Sequence, residues 1–198
     1  MSRRRYPHAP REKARELVAT RGGIALTHTV GPGNTGGFPV DTQLFHPQEA
    51  RFERLGEFVR ELAWDGNTLF GVHRRSLVRH VNDGARAHWQ PVDPSLRICA
   101  QVDLTHFANA LWLTQQGQIR NRRIRSRRIP CGVTRWSSGR APQTWMEDDG
   151  LVSGFGRSIV GDSTSIYVSH GIQGKGLSVL AIRAGTGSGC PRAETASP

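Results

Sequence analysis

The sequence predicts an α+β fold: a mostly antiparallel sheet with two or three helices packed on it, in one domain. Three observations carry this. Short runs rich in β-branched and aromatic residues, such as 96–104 and 165–169, are bounded by turn residues, as strands are. A few longer stretches, foremost 47–65, repeat apolar residues at helical spacing. The 23 glycines and 11 prolines, with 36% hydrophobic residues, imply many turns around a modest core. At 198 residues the chain is long enough for one such core. The expected organisation is a disordered basic arm over 1–10, a single α+β domain over 11–184 and a disordered tail over 185–198.

Taken in order, Pro10 opens a short helix over 11–20, with Ala14, Leu17 and Val18 on one side. Residues 24–30 read as a strand with Ile24, Leu26, His28 and Val30 on one face, where His28 is a structural histidine. The following Gly31–Gly37 segment matches GxGxxG. Phe38-Pro39-Val40 continues extended, so no helix opens on those glycines and the segment reads as a mobile loop. The helix over 47–65 carries Phe52, Leu55, Val59 and Leu62 and stops at Asp65-Gly66-Asn67. Residues 68–72 read as a strand, followed by a basic cluster of His73, Arg74, Arg75, Arg79 and His80. His73, His80 and His88 lack cysteine partners at metal-site spacing, so no metal is expected. A strand over 96–104 leads to a helix over 106–116 capped by Thr105. Asp103 ends that strand and reads as a capping or solvated carboxylate rather than a base. No internal repeat is visible.

The charge balance points to anions. Arginine supplies all but two of the 27 basic residues, the exceptions being Lys13 and Lys175, against 16 acidic ones. A planar guanidinium binds phosphate through a fork and stacks on bases, which favours nucleic acid; a high-GC coding sequence also enriches arginine. The cluster is densest in an acid-free window, 104–146, holding Arg120, Arg122, Arg123, Arg125, Arg127, Arg128, Arg135 and Arg140 beside Trp136. In a strand, Arg123, Arg125 and Arg127 share one face. A one-sign cluster repels itself unless an anion neutralises it. Trp136 could stack on a base, although tryptophan is more often core.

Cys99, Cys131 and Cys190 are odd in number and form no CxxC spacing, which argues against a disulfide scaffold and fits a reducing compartment. The basic N-terminus precedes no apolar signal region, and no apolar run is long enough to span a bilayer. The expected location is cytoplasmic, with no membrane contact.

The stretch 150–184 reads as strand, glycine turn and helix: Ser165–Ser169, then Gln173-Gly174-Lys175-Gly176, then a largely apolar run. It resembles the acetyl-CoA-binding motif of the GNAT acetyltransferase superfamily, Gln/Arg-x-x-Gly-x-Gly/Ala. Gln173 takes the first place, Gly174 and Lys175 the variable pair, Gly176 the central glycine; Leu177 follows, and Ser178 stands where Gly or Ala is usual. The resemblance implies a truncated or degenerate acyl-CoA-dependent N-acyltransferase. Loop amides and a helix start would hold the CoA diphosphate, and a substrate amine would attack the thioester with a general base. It names no base in this chain. The alternative is a non-enzymatic nucleic-acid-binding protein using the arginine segment.

Overall fold

The computed structural model describes residues 12–30, 38–56, 59–84, 87–94, 96, 98–99, 101–121, 124–162, 164–170, 176–182 and 193–195. Among them the architecture is all strand, with one short 3-10 turn at Glu147–Asp149 and no α-helix. Four four-stranded sheets follow one another along the chain. The first holds β1 (Glu12–Thr20), β2 (Gly23–Val30), β3 (Phe38–His46) and β4 (Arg51–Arg54). The second holds β5 (Arg60–Trp64), β6 (Leu69–His73), β7 (Ser76–Asn82) and β8 (Ala87–Pro91). The third holds β9 (Gln101–Phe107), β10 (Ala110–Asn121), β11 (Ile124–Trp136) and β12 (Gln143–Trp145). The fourth holds β13 (Gly156–Gly161), β14 (Ser165–His170), β15 (Leu177–Ala181) and β16 (Ala193–Thr195), the last within the segment expected to be a tail. Each sheet is an antiparallel meander in sequence order. The first strands β1, β5, β9 and β13 neighbour one another in turn, giving a four-bladed, propeller-like arrangement.

The α+β expectation is therefore overturned, element by element. Residues 11–20 supply β1, not a helix. The 47–65 stretch is a turn, β4, a connecting loop and β5. The 106–116 stretch is the end of β9, a two-residue turn and the start of β10. That turn places Ala108 (φ 48°) and Asn109 (φ 56°) both in the left-handed region, as a tight hairpin matched to strand twist requires. The run after Gly176 is β15, not a helix. Four meanders also recur where the sequence shows no repeat.

The cores lie between consecutive sheets. Alternation along each strand sends successive residues to opposite faces, and the middle sheets are apolar on both. Between sheets one and two, Ala25, Leu55, Val59, Leu62, Leu69 and Val78 pack with Val18 and Leu44. Between two and three, Phe70, Val72, Leu77, Leu104, Leu111 and Leu113 form the next layer. Between three and four, Trp112, Val133, Trp145, Ile159, Ile166, Val168 and Leu180 form the last. Gly71 lies where the first of these layers is tightest: a Cβ there would collide with the Val59 side chain.

One further sequence expectation changes. Cys99 and Cys131 are joined by a disulfide, with Cα atoms 6.6 Å apart and a sequence separation of 32. The odd cysteine count had argued against one; the third cysteine, Cys190, lies outside the described residues. No helix of the described residues is long and apolar enough to cross a membrane.

Candidate nucleic-acid interface

β10 and β11 are the longest strands of the fold, and their pairing outruns that of their neighbours. β9 pairs with β10 only as far as Gln116, and β12 pairs with β11 only over Val133–Arg135. Beyond these limits β10 and β11, among the described residues, continue to pair with each other alone: Gly117 with Ile129, Gln118 with Arg128, Ile119 with Arg127, and Asn121 with Ile124. The result is a two-stranded ribbon extending from the third sheet. Its backbone carries Arg120 on β10 and Arg125, Arg127 and Arg128 on β11. Arg122 and Arg123 lie outside the described residues.

The ribbon is anchored where it leaves the sheet. The register shifts between Thr114 and Gln116, so that one residue of β10, Gln115, stands against two of β11, Cys131 and Gly132. Gly132 has φ 67°, and a Cβ on it would strike the Trp145 carbonyl. The amides of both Cys131 and Gly132 donate to the Gly154 carbonyl at 3.1 Å. Gln115 is buried and ties β10 to β11 and to the segment before β9. Its Oε1 accepts from the Cys99 amide at 2.9 Å, and its Nε2 donates to Thr134 Oγ1 at 2.6 Å. The disulfide closes the same span covalently. A bulge, a buried amide network and a cross-link thus fix the ribbon's root.

The remaining arginine-segment candidates are not part of the ribbon. The Arg135 guanidinium lies over the Trp112 ring, 5.8 Å from its centroid, and Trp112 stacks on Trp145 at 5.5 Å. Trp136 packs against the core between sheets two and three, 6.2 Å from the Phe70 ring. Arg140 sits in the exposed turn that its amide closes to the Ser137 carbonyl at 3.2 Å.

Of the GNAT-motif residues, Gln173, Gly174 and Lys175 lie outside the described residues. Gly176 has φ 143°, and its carbonyl accepts from the His170 amide at 3.1 Å. Leu177 starts β15 and is exposed; Ser178 is fully buried. Ser178 Oγ accepts from the Val152 amide at 2.9 Å and bonds His170 Nε2 at 2.7 Å. Burial holds the His170 imidazole below its ordinary pKa, against the opposing influences of the Glu147 charge and the Ser153 backbone. Its Nδ1 is buried with no hydrogen-bond partner. Sequence reading missed this pair. A fully buried serine hydroxyl offers a substrate no approach, and the pair ties β14 and β15 to the 150–153 loop.

The basic cluster after β6 divides. Arg54, His73, Arg74, His88 and Trp89 line a cleft of about 640 Å³. Arg79 instead donates to Gln90 Oε1 from Nε at 3.2 Å and Nη2 at 2.9 Å. His80 meets the Trp89 ring edge-on at 5.2 Å, and burial lowers its pKa against the pull of the Glu53 charge. Asp103 is neither base nor ligand but a link between sheets three and four: its Oδ2 accepts from Ser158 Oγ at 2.7 Å and from the Ile159 amide at 2.8 Å. The GxGxxG segment at 31–37 lies outside the described residues. The chain matches no protein-family model and no curated protein.

Proposed function

We propose that the chain is a non-enzymatic nucleic-acid-binding module whose contact element is the β10–β11 ribbon. The observation that carries this reading is the extension of two paired strands past both neighbours, bearing Arg120, Arg125, Arg127 and Arg128 in a window without a single carboxylate. The major groove of B-DNA is wide enough to admit a two-stranded β-ribbon. Guanidinium groups on such a ribbon meet phosphates along the groove walls, neutralise them and release condensed counterions. A braced root favours this role, because a ribbon that is already ordered loses less entropy on binding. The remaining chain is the scaffold that holds the ribbon out.

Acyl-CoA binding through Gln173–Ser178, with an amine as acceptor, has less support. That reading rests on a helix start presenting free amides to a diphosphate, and Leu177–Ala181 is a strand paired on both sides. The test is titration of the full chain with a short DNA duplex at several salt concentrations, and separately with acetyl-CoA. Salt-dependent duplex binding without CoA binding supports the module; no duplex binding at low salt refutes it.

A further inference from the structure

Every large apolar side chain that stands exposed among the described residues lies on one of two faces. Leu17, Ile24 and Phe52 belong to the first sheet, at 63%, 36% and 53% exposure. Val160 and Leu177 belong to the fourth, at 60% and 38%. The register shows that these are the sheets' outer faces. In sheet one, Ile24 pairs with Phe45 and Phe45 with Phe52, the two rings 4.9 Å apart, while Val18, Ala25 and Leu44 alternate to the side packed on sheet two. In sheet four, Val160, Tyr167 and Val179 form one cross-strand row, while Ile159, Ile166, Val168 and Leu180 face sheet three.

Each internal boundary of the stack joins the trailing face of one sheet to the leading face of the next. The leading face of sheet one and the trailing face of sheet four are the same two kinds of surface, and each carries exposed apolar side chains among polar ones. Among the described residues β1 packs along β5, and β13 along β9 and β10, with no comparable packing of β13 on β1. The four sheets therefore form an arc with two apolar ends of opposite kind. Surfaces of this type mark interaction sites, and complementary patches at opposite ends make heterologous contacts that close into a ring when the rotation allows.

We propose that the partner is a second copy of this chain, arranged head to tail. The trailing face of sheet four in each copy would dock on the leading face of sheet one in the other. One partner then covers both ends at once through the sheet-on-sheet packing the chain already uses three times. Two arcs of four sheets make a ring of eight, within the four to eight blades usual for propellers. Exposed Phe52 and Val160 would become buried at the two junctions.

Sedimentation equilibrium of the full chain and of two variants decides the matter. Wild type is expected as a two-chain particle. Phe52→Arg spoils both junctions of its own ring, and Val160→Arg does the same from the other side, so each alone runs as a single chain. Mixed in equal amounts, the two retain one junction free of either substitution and regain the two-chain particle. Leu17→Arg and Leu177→Arg act on the same two faces and serve as a second pair if either first variant misfolds by circular dichroism. A single-chain wild type overturns the proposal, whether sheet one closes on its own sheet four or another protein covers them. Dimers that survive either single substitution, or a mixture that stays single-chain, overturn it equally.

Discussion

Asp103 on β9 accepts a 2.7 Å hydrogen bond from the Ser158 hydroxyl on β13, and the same carboxylate oxygen takes the Ile159 amide. One side chain thus joins the first strands of two successive sheets. Asp103→Ala removes both bonds and leaves the Ile159 amide without its partner. A loss of about 2 kcal/mol in urea unfolding is expected, with duplex affinity unchanged because the ribbon lies elsewhere. An unfolding midpoint equal to that of wild type would show that the sheets hold together without it.

The Cys99–Cys131 bond leaves one thiol in the chain. Alkylation of the denatured, unreduced protein should block a single cysteine, and alkylation after reduction all three. Replacing both bonded cysteines by serine is expected to cost about 3 kcal/mol of stability for a cross-link of this span. Mass spectrometry finding three free thiols without reduction would remove the covalent part of the ribbon's anchor.

His170 gives the fold a pH dependence of definite sign. Its folded pKa lies below the ordinary value of 6.5, chiefly through burial. Above 6.5 both states are neutral and the stability contribution is complete. As the pH falls from there towards the folded pKa, the unfolded chain takes up a proton that the folded one resists, and stability declines. His80, shifted the same way by burial, adds to this slope. His170→Gln should reduce the slope of stability against pH below 6.5, measured by denaturant unfolding; an unchanged slope would exclude His170 as its source.

The ribbon arginines can be counted by salt. Four phosphate contacts give a slope of about −3.6 in log affinity against log salt on duplex DNA, at about −0.9 each. Replacing Arg120, Arg125, Arg127 and Arg128 together by Gln should flatten the slope by that amount and weaken binding equally across unrelated sequences. Binding that keeps its slope would move the contact to another basic surface, the cleft beside Trp89 foremost.

Several strands were legible in the sequence and the helices were not, for one physical reason. Residues 24–30, 68–72 and 165–169 were read as strands and overlap β2, β6 and β14. Phe52, Leu55, Val59 and Leu62 mimic helical spacing because three different settings supply them. Phe52 stands on the outer face of β4, Leu55 and Val59 are buried between β4 and β5, and Leu62 lies on β5 within a register shift, next to Glu61 at φ 51°. Strands covered on both sides, such as β6 with Leu69, Phe70 and Val72 all buried, lose the alternation that betrays a strand. The arginine window was visible from charge alone. Its projecting shape was not, because it depends on where β9 and β12 stop pairing. Trp136 offered stacking, with core the more usual role for tryptophan, and its packing beside Phe70 is core.

The meander order of the four sheets also bears on how the chain acquires its structure. Within each sheet every strand pairs with its immediate predecessor or successor in sequence, so the loops closed in assembling it are short and entropically cheap. Few all-strand proteins enjoy contacts this local, and locality speeds folding. During synthesis the first meander has its complete set of strands once residue 54 has emerged, before any of the third exists. Each later meander finds a finished sheet to condense on. Cys99 just precedes β9 and Cys131 lies on β11 of the same meander, so their oxidation needs no long-range search through the chain.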